Sequence, residues 1–322
     1  MVHRFHPLVL AILSSVPIWT APALAEPCTL KQLASIDTER AEGRLIIPVG
    51  LDGRASRLSV DTGAPIGILR AKLVDDLGAS RRTLDKGAVI DIAGVSFDQA
   101  ASVHELKLGE MTARDVEFLI HRDPARDGGA DGTFGANFLT AYDVEFDFGR
   151  NKMNLFLKNT CDGSAAYWSR HATKLPLRVD ASLHTFVEVT LDGQLLLAMI
   201  DTGSSESILS LTRARLLFGI DPVAAKLATD GTMRSGTGEK LPFYRHRFGA
   251  LALGNIEIRN TEMVLTDDRL ADFYRTTRMV GDHPDWEKSL HPDLILGLHH
   301  LERLHIYLGY GKNLAYLTAD GS

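Results

Sequence analysis

Apolar positions along this chain fall into short runs broken by Asp-Gly pairs, glycines and prolines. Leu45-Ile46-Ile47-Pro48-Val49 is followed by a Leu51-Asp52-Gly53 turn and then by Leu58-Ser59-Val60. Asp-Gly between apolar runs predicts a β-hairpin, here one that runs straight into Asp61. The pattern returns over 186–191, Asp192-Gly193 and 195–200, running into Asp201. Each hairpin is followed by one short predicted helix, 70–77 and 211–218, stopped by a glycine. Residues 103–120 and 246–265 read as further hairpins turning at Gly109 and Gly254. Short strands with frequent turns predict an all-β protein of closed or sandwiched sheets with few short helices.

The hairpins belong to a longer repeat. Residues 49–69 read VGLDGRASRLSVDTGAPIGIL and residues 189–209 read VTLDGQLLLAMIDTGSSESIL. Leu-Asp-Gly, Asp-Thr-Gly and Ile-Leu all recur at one offset of 140 residues, a register that chance similarity of apolar strings would not keep. A second set of landmarks closes each half: Gly135 answers to Gly297, and Gly149 to Gly311, at an offset of 162. The second unit therefore carries 22 extra residues, most of them expected within 266–292, around Trp286. The expected organisation is a first lobe over 26–161, a linker over 162–174 and a second lobe over 175–322.

The first 25 residues read differently. One basic residue, Arg4, precedes an apolar stretch over 8–19 that closes on Ala23-Leu24-Ala25, the form of a cleavable export signal. The stretch is short for a membrane span, and no later run is longer. A periplasmic or secreted protein without stable membrane insertion is expected. In that setting the two cysteines, Cys28 and Cys161, are expected to pair, closing a loop worth about 4–5 kcal/mol in the chain-entropy model. A net charge of −6 with no basic block argues against nucleic-acid binding. His283, His291, His299, His300 and His305 fit no zinc-helix spacing and read as surface histidines, so no metal and no cofactor is expected.

The chemistry concentrates at Asp61 and Asp201. Each follows an apolar strand and precedes Thr-Gly, as Thr62-Gly63 and Thr202-Gly203. A carboxylate at the end of a buried strand is costly unless it is paired or hydrogen-bonded. One such aspartate could simply cap a turn. Two in register, related by a pseudo-two-fold axis, can meet at the interface between lobes.

On these residues, and on the apolar-apolar-Gly strings ending at Gly135 and Gly297, the chain resembles the two-lobed aspartic peptidases of the pepsin and retropepsin superfamily. The resemblance implies a bilobal, pseudo-symmetric β fold with a cleft between lobes. It implies Asp61 and Asp201 as the catalytic pair, threonines that lock the two loops, and glycines that let backbone approach the carboxylates. It also implies an endopeptidase that activates water between two aspartates sharing one proton, working on extended peptide or protein substrates. Both halves lie in one chain, so a monomer suffices. Ala64 follows the first motif and Ser204 the second. A Ser204 hydroxyl donating to Asp201 would favour its charged form and leave the proton on Asp61. Gly94, Gly236 and Gly238 mark flap hairpins or ordinary surface turns. The rival reading is a non-catalytic, exported peptide-binding protein that retains the cleft.

Overall fold

The computed structural model describes residues 30–84, 90–92, 95–122, 129–159, 165–222, 227–234, 240–268 and 290–319. The first lobe is built on six strands: β1 Arg44–Leu51, β2 Arg54–Val60, β3 Ile68–Arg70, β4 Gln99–Leu108, β5 Met111–His121 and β6 Gly132–Phe134. They run in the order β1-β2-β6-β3-β5-β4, and β4 pairs back onto β1 through Gly50 opposite Lys107, closing a barrel. The second lobe repeats this with β7 Thr185–Leu191, β8 Gln194–Ile200, β9 Ile208–Ser210, β10 Lys240–Leu253, β11 Ile256–Thr266 and β12 Leu294–Leu296, closed by Thr190 opposite Ala252. The fold is all-β and bilobal, as the repeat predicts.

Alternation explains why these segments are strands. Leu45, Ile47, Val49 and Leu51 all point into the first barrel, and Val187, Val189 and Leu191 into the second. At the hairpin tips Asp52 and Gly53 have φ of 47° and 80°, and Asp192 and Gly193 have 44° and 79°, the left-handed pair that a two-residue turn requires. The same aspartates also fasten the barrels. Asp52 Oδ1 accepts from the Glu105 amide at 2.7 Å, and Asp192 Oδ1 from the Ala250 amide at 2.8 Å.

The pairing register locates the extra residues of the second unit. Ile68 lies opposite Leu119 and Ile208 opposite Val264, so the offset steps from 140 to 145 across this part of the unit. Leu58 lies opposite Gly132 and Ala198 opposite Leu294, an offset of 162. Most of the insertion therefore falls between Val264 and Leu294, as expected. Trp286 lies outside the described residues.

Among the described residues, four short α-helices decorate the lobes: α1 Ala71–Leu77, α2 Ala136–Leu139, α3 Leu211–Phe218 and α4 Leu298–Leu301. As predicted, α1 and α3 stop at glycines in the left-handed region, Gly78 (φ 62°) and Gly219 (φ 66°).

A six-stranded sheet joins the lobes, with Gln32–Asp37, Lys152–Phe156 and Asp143–Asp147 from the first half and Leu304–Gly309, Leu314–Ala319 and Thr173–Pro176 from the second. Its central seam pairs Val144 with Leu308. The residues expected as a linker are partly structural. Ala165 and Ala166 are buried on this sheet, the Trp168 ring stacks on His305 at 4.0 Å, and Thr173 already belongs to a strand. Residues 1–25, expected to be an export signal, and Cys28 and Cys161 lie outside the described residues. Among those described, no helix is long and apolar enough to cross a membrane.

Candidate active site

Each aspartate sits where a strand of its barrel ends and a second strand inserts beside it. Strand β6 runs parallel to β2 and antiparallel to β3, so it fills the gap that the Asp-Thr-Gly loop opens between them. The Asp61 amide donates to the Phe134 carbonyl at 3.1 Å, and the Asp201 amide to the Leu296 carbonyl at 3.0 Å. The chain then passes beneath each loop, with the Ala136 amide on the Ala64 carbonyl (2.7 Å) and the Leu298 amide on the Ser204 carbonyl (2.8 Å). Gly135 and Gly297 are glycines because there is no room for anything else. A Cβ on Gly135 would stand 2.7 Å from the Ile66 carbonyl carbon, and one on Gly297 would collide with the Glu206 carbonyl.

The threonines cross-link the loops. Thr62 Oγ1 donates to the Ile200 carbonyl (2.7 Å) and accepts from the Thr202 amide (3.0 Å). Thr202 Oγ1 donates to the Val60 carbonyl (3.0 Å) and accepts from the Thr62 amide (3.1 Å). Both side chains are sealed from water. These four bonds run between lobes and leave neither hydroxyl unsatisfied.

This lock brings the carboxyl groups together. The Gly63 amide donates to Asp61 Oδ1 at 2.9 Å and the Gly203 amide to Asp201 Oδ1 at 2.8 Å. A Cβ on Gly63 would lie 2.6 Å from the Asp201 carboxyl carbon, and one on Gly203 would collide with the Asp61 carboxyl. Each glycine thus faces the other lobe's aspartate. Gly203→Ala is expected to displace the Asp61 carboxyl and cost about 10²-fold in turnover, measured against any substrate the wild type accepts.

This approach sets the electrostatics of Asp61. Burial, and then the charge of Asp201, push the Asp61 carboxyl up to about 7. The Arg44 guanidinium and the Gly63 and Ala64 amides act in the opposite direction. The reason anticipated from sequence does not hold: the Ser204 hydroxyl donates to the Glu206 carbonyl at 2.8 Å, so its single proton is committed away from Asp201.

The chain therefore carries two Asp-Thr-Gly loops cross-linked into one pseudo-symmetric pair, and the model of the aspartyl protease family matches residues 47–138 and 187–299, well over half of its length. The chain belongs to the aspartyl protease family. Among solved structures, this aspartyl protease chain is similar to an aspartic proteinase from Irpex lacteus, with a TM-score of 0.55 at 13% identity over 89% of this chain and 97% of that one. It is also similar to conglutin gamma, a basic 7S globulin from lupine seeds, with a TM-score of 0.51 at 10% identity over 90% and 95%. At such identities these likenesses speak to the fold. No curated protein sequence matches the chain.

Other expected residues fall elsewhere. Gly94, Gly236 and Gly238 lie outside the described residues, although the strands on either side of them pair as hairpins, Ile92 opposite Val95 and Arg234 opposite Lys240. Two of the late histidines are not on the surface. His300 is wholly buried between Thr261 and Ser207, and burial pushes its ring down to about 3, hence neutral. The Ser207 hydroxyl in turn accepts from the Gly297 amide at 2.9 Å, so His300 braces the second loop. His305 Nε2 lies 2.8 Å from Glu145 Oε1 within the interlobe sheet. Sequence reasoning passed over Arg44 and His184, both of which reach the Asp-Thr-Gly loops.

Proposed function

We propose that the chain is an aspartic endopeptidase. The observation that carries this reading is the reciprocal packing of each Asp-Thr-Gly glycine against the opposite aspartate, which holds two carboxyl groups at one point. Asp61, with its raised affinity for protons, holds the shared proton and donates it to the carbonyl oxygen of the scissile peptide bond. Asp201 accepts a proton from the water that attacks the carbonyl carbon. The resulting tetrahedral species collapses as Asp201 passes its proton to the departing amine and Asp61 recovers one from a hydroxyl of that species, and no bond to the enzyme forms. An extended peptide lying between the lobes is the substrate, and the residues 1–25 direct the chain out of the cytoplasm.

The reading is tested by incubating the full chain with a diverse peptide mixture from about pH 3 to pH 8 and identifying products by mass spectrometry, with Asp201→Asn alongside. Cleavage by the wild type and not by the variant supports it. Peptide binding with no cleavage by either favours the rival, a binding protein with a retained cleft. The globulin likeness keeps that rival in view, because a shared fold does not carry activity with it.

Activity is expected to decline as pH rises through about 7, when the pair loses the proton that Asp61 supplies. Stability follows the same titration. The folded-state value of Asp61 lies above its unfolded value near 3.8, so the native state binds the proton more tightly. That stabilisation is complete below pH ~4 and is lost as pH rises through ~7. The Tm of the wild type is therefore expected to fall relative to that of Asp61→Asn across this window, which paired thermal scans at several pH values will show.

A further inference from the structure

The 140-residue register that relates Asp61 to Asp201 also relates Arg44 to His184. The two residues make the same contact in mirror roles. Arg44, on β1 of the first lobe, donates through Nη1 to the carbonyl of Gly203. His184, at the edge of β7 in the second lobe, has Nε2 at 3.1 Å from the carbonyl of Gly63. A carbonyl only accepts, so Nε2 carries the proton.

His184 is built into place. Its side chain is 2% exposed, and the wholly buried carboxylate of Asp180 stands 3.6 Å from Nδ1. Asp180 organises the whole corner: Oδ1 accepts from the amides of Ser182 (2.9 Å) and His184 (3.0 Å), and Oδ2 from the amide of Leu290 (3.3 Å). The first lobe has Arg40 at the equivalent position, paired with Glu302, so this support belongs to the second lobe alone. Leu183 is held at φ 64°, a left-handed conformation that its counterpart Gly43 (φ 75°) adopts without strain. A bulky residue kept there shows that the corner is over-determined by its surroundings.

We propose that His184 is a positioning residue of the active site, held by Asp180 and acting across the lobe interface on the loop that carries Asp61. The peptide unit between Gly63 and Ala64 has its carbonyl on His184, and its N–H donates to the Asp61 backbone carbonyl at 3.4 Å while also favouring the charged form of the Asp61 carboxyl. A donor on the carbonyl fixes the tilt of that unit and polarises the N–H that faces the catalytic group. Arg44 performs the corresponding task on the Gly203–Ser204 unit. The inference rests on the endopeptidase reading and adds to it a residue that the Asp-Thr-Gly motif does not contain.

The test compares His184→Phe, which keeps a ring and loses the donor, with His184→Gln, whose side-chain amide can donate from nearly the same place. In the full chain, kcat and KM are measured on a peptide the wild type cleaves, and the Ala64 amide resonance is followed by NMR. His184→Phe is expected to lose on the order of tenfold to a hundredfold in kcat with KM within about twofold, and His184→Gln to stay within about threefold of wild type. The Ala64 resonance should move in the first variant and hold in the second. An unchanged kcat in His184→Phe, or equal losses in both variants, overturns the proposal. A wild type that cleaves nothing overturns the endopeptidase reading instead. The Ala64 resonance then decides the positioning role, and its indifference to His184→Phe ends it. Should His184→Phe fail to fold, His184→Asn, a donor too short to reach Gly63, replaces it.

Discussion

Asp201→Asn is expected to lower kcat/KM for peptide cleavage by at least about 10³-fold while leaving the protein folded. General acid–base groups contribute roughly 10²–10⁴-fold, and this residue is assigned the activation of the attacking water. An amide can neither take that proton nor share one with Asp61. Its oxygen can still accept from the Gly203 amide, which donates to Asp201 Oδ1 at 2.8 Å, so the loop keeps its internal bond. Asp201 is only 3% exposed and stands against Gly63, where an amide of equal size fits. Removing its charge also removes one of the causes that raise Asp61. The variant should therefore melt no earlier than the wild type near neutral pH. Peptide cleavage and thermal denaturation on the same preparations check both halves. Cleavage that survives the substitution places the chemistry elsewhere.

Thr62→Val and Thr202→Val are each expected to destabilise the fold by about 2–6 kcal/mol and to abolish most cleavage. Valine keeps the shape of threonine and removes one hydroxyl that makes two bonds. In Thr62→Val the Ile200 carbonyl loses its donor and the Thr202 amide loses its acceptor, both deep in the interface. A buried polar group left unsatisfied costs roughly 1–3 kcal/mol, and each variant leaves two. The loss of activity follows from geometry, because the same bonds set the distance between the loops that carry Asp61 and Asp201. Thr62→Ser, which restores the hydroxyl without the methyl, should recover most of both. Chemical denaturation of the four proteins, read beside their cleavage rates, tests the expectation. A Thr62→Val variant as stable as the wild type would mean that the lock is not what holds the lobes in register.

Much of this architecture was legible along the chain because its landmarks have local causes. Asp52-Gly53 and Asp192-Gly193 are turn residues whose left-handed φ values demand those side chains, and alternation in 45–51 and 187–191 follows from a barrel with one buried face. Gly135 and Gly297 are spared any side chain by a backbone passing within contact distance. Repetition at a common offset then made two weak signals into one strong one.

What the tertiary structure alone decided depends on how the loops curl and on partners far apart in sequence. Ser204 looked placed to serve Asp201, yet its hydroxyl turns to Glu206 because the loop curls that carbonyl within reach. His300 and His305 looked like surface residues, yet packing of α4 and of the interlobe sheet buries both. Positions 44 and 184 share the repeat register and differ in side chain, so no motif marks them. Their common role exists only because the pseudo-two-fold packing sets each against the opposite glycine. The sequence by itself determined the duplicated β unit and the two aspartates, because turns, alternation and close backbone approach are constraints within a unit. The meeting of those aspartates, the raised hold of Asp61 on its proton and the donors that steady the loops were decided by contacts across the lobe interface, whose free energy depends on distances that no single stretch of chain encodes.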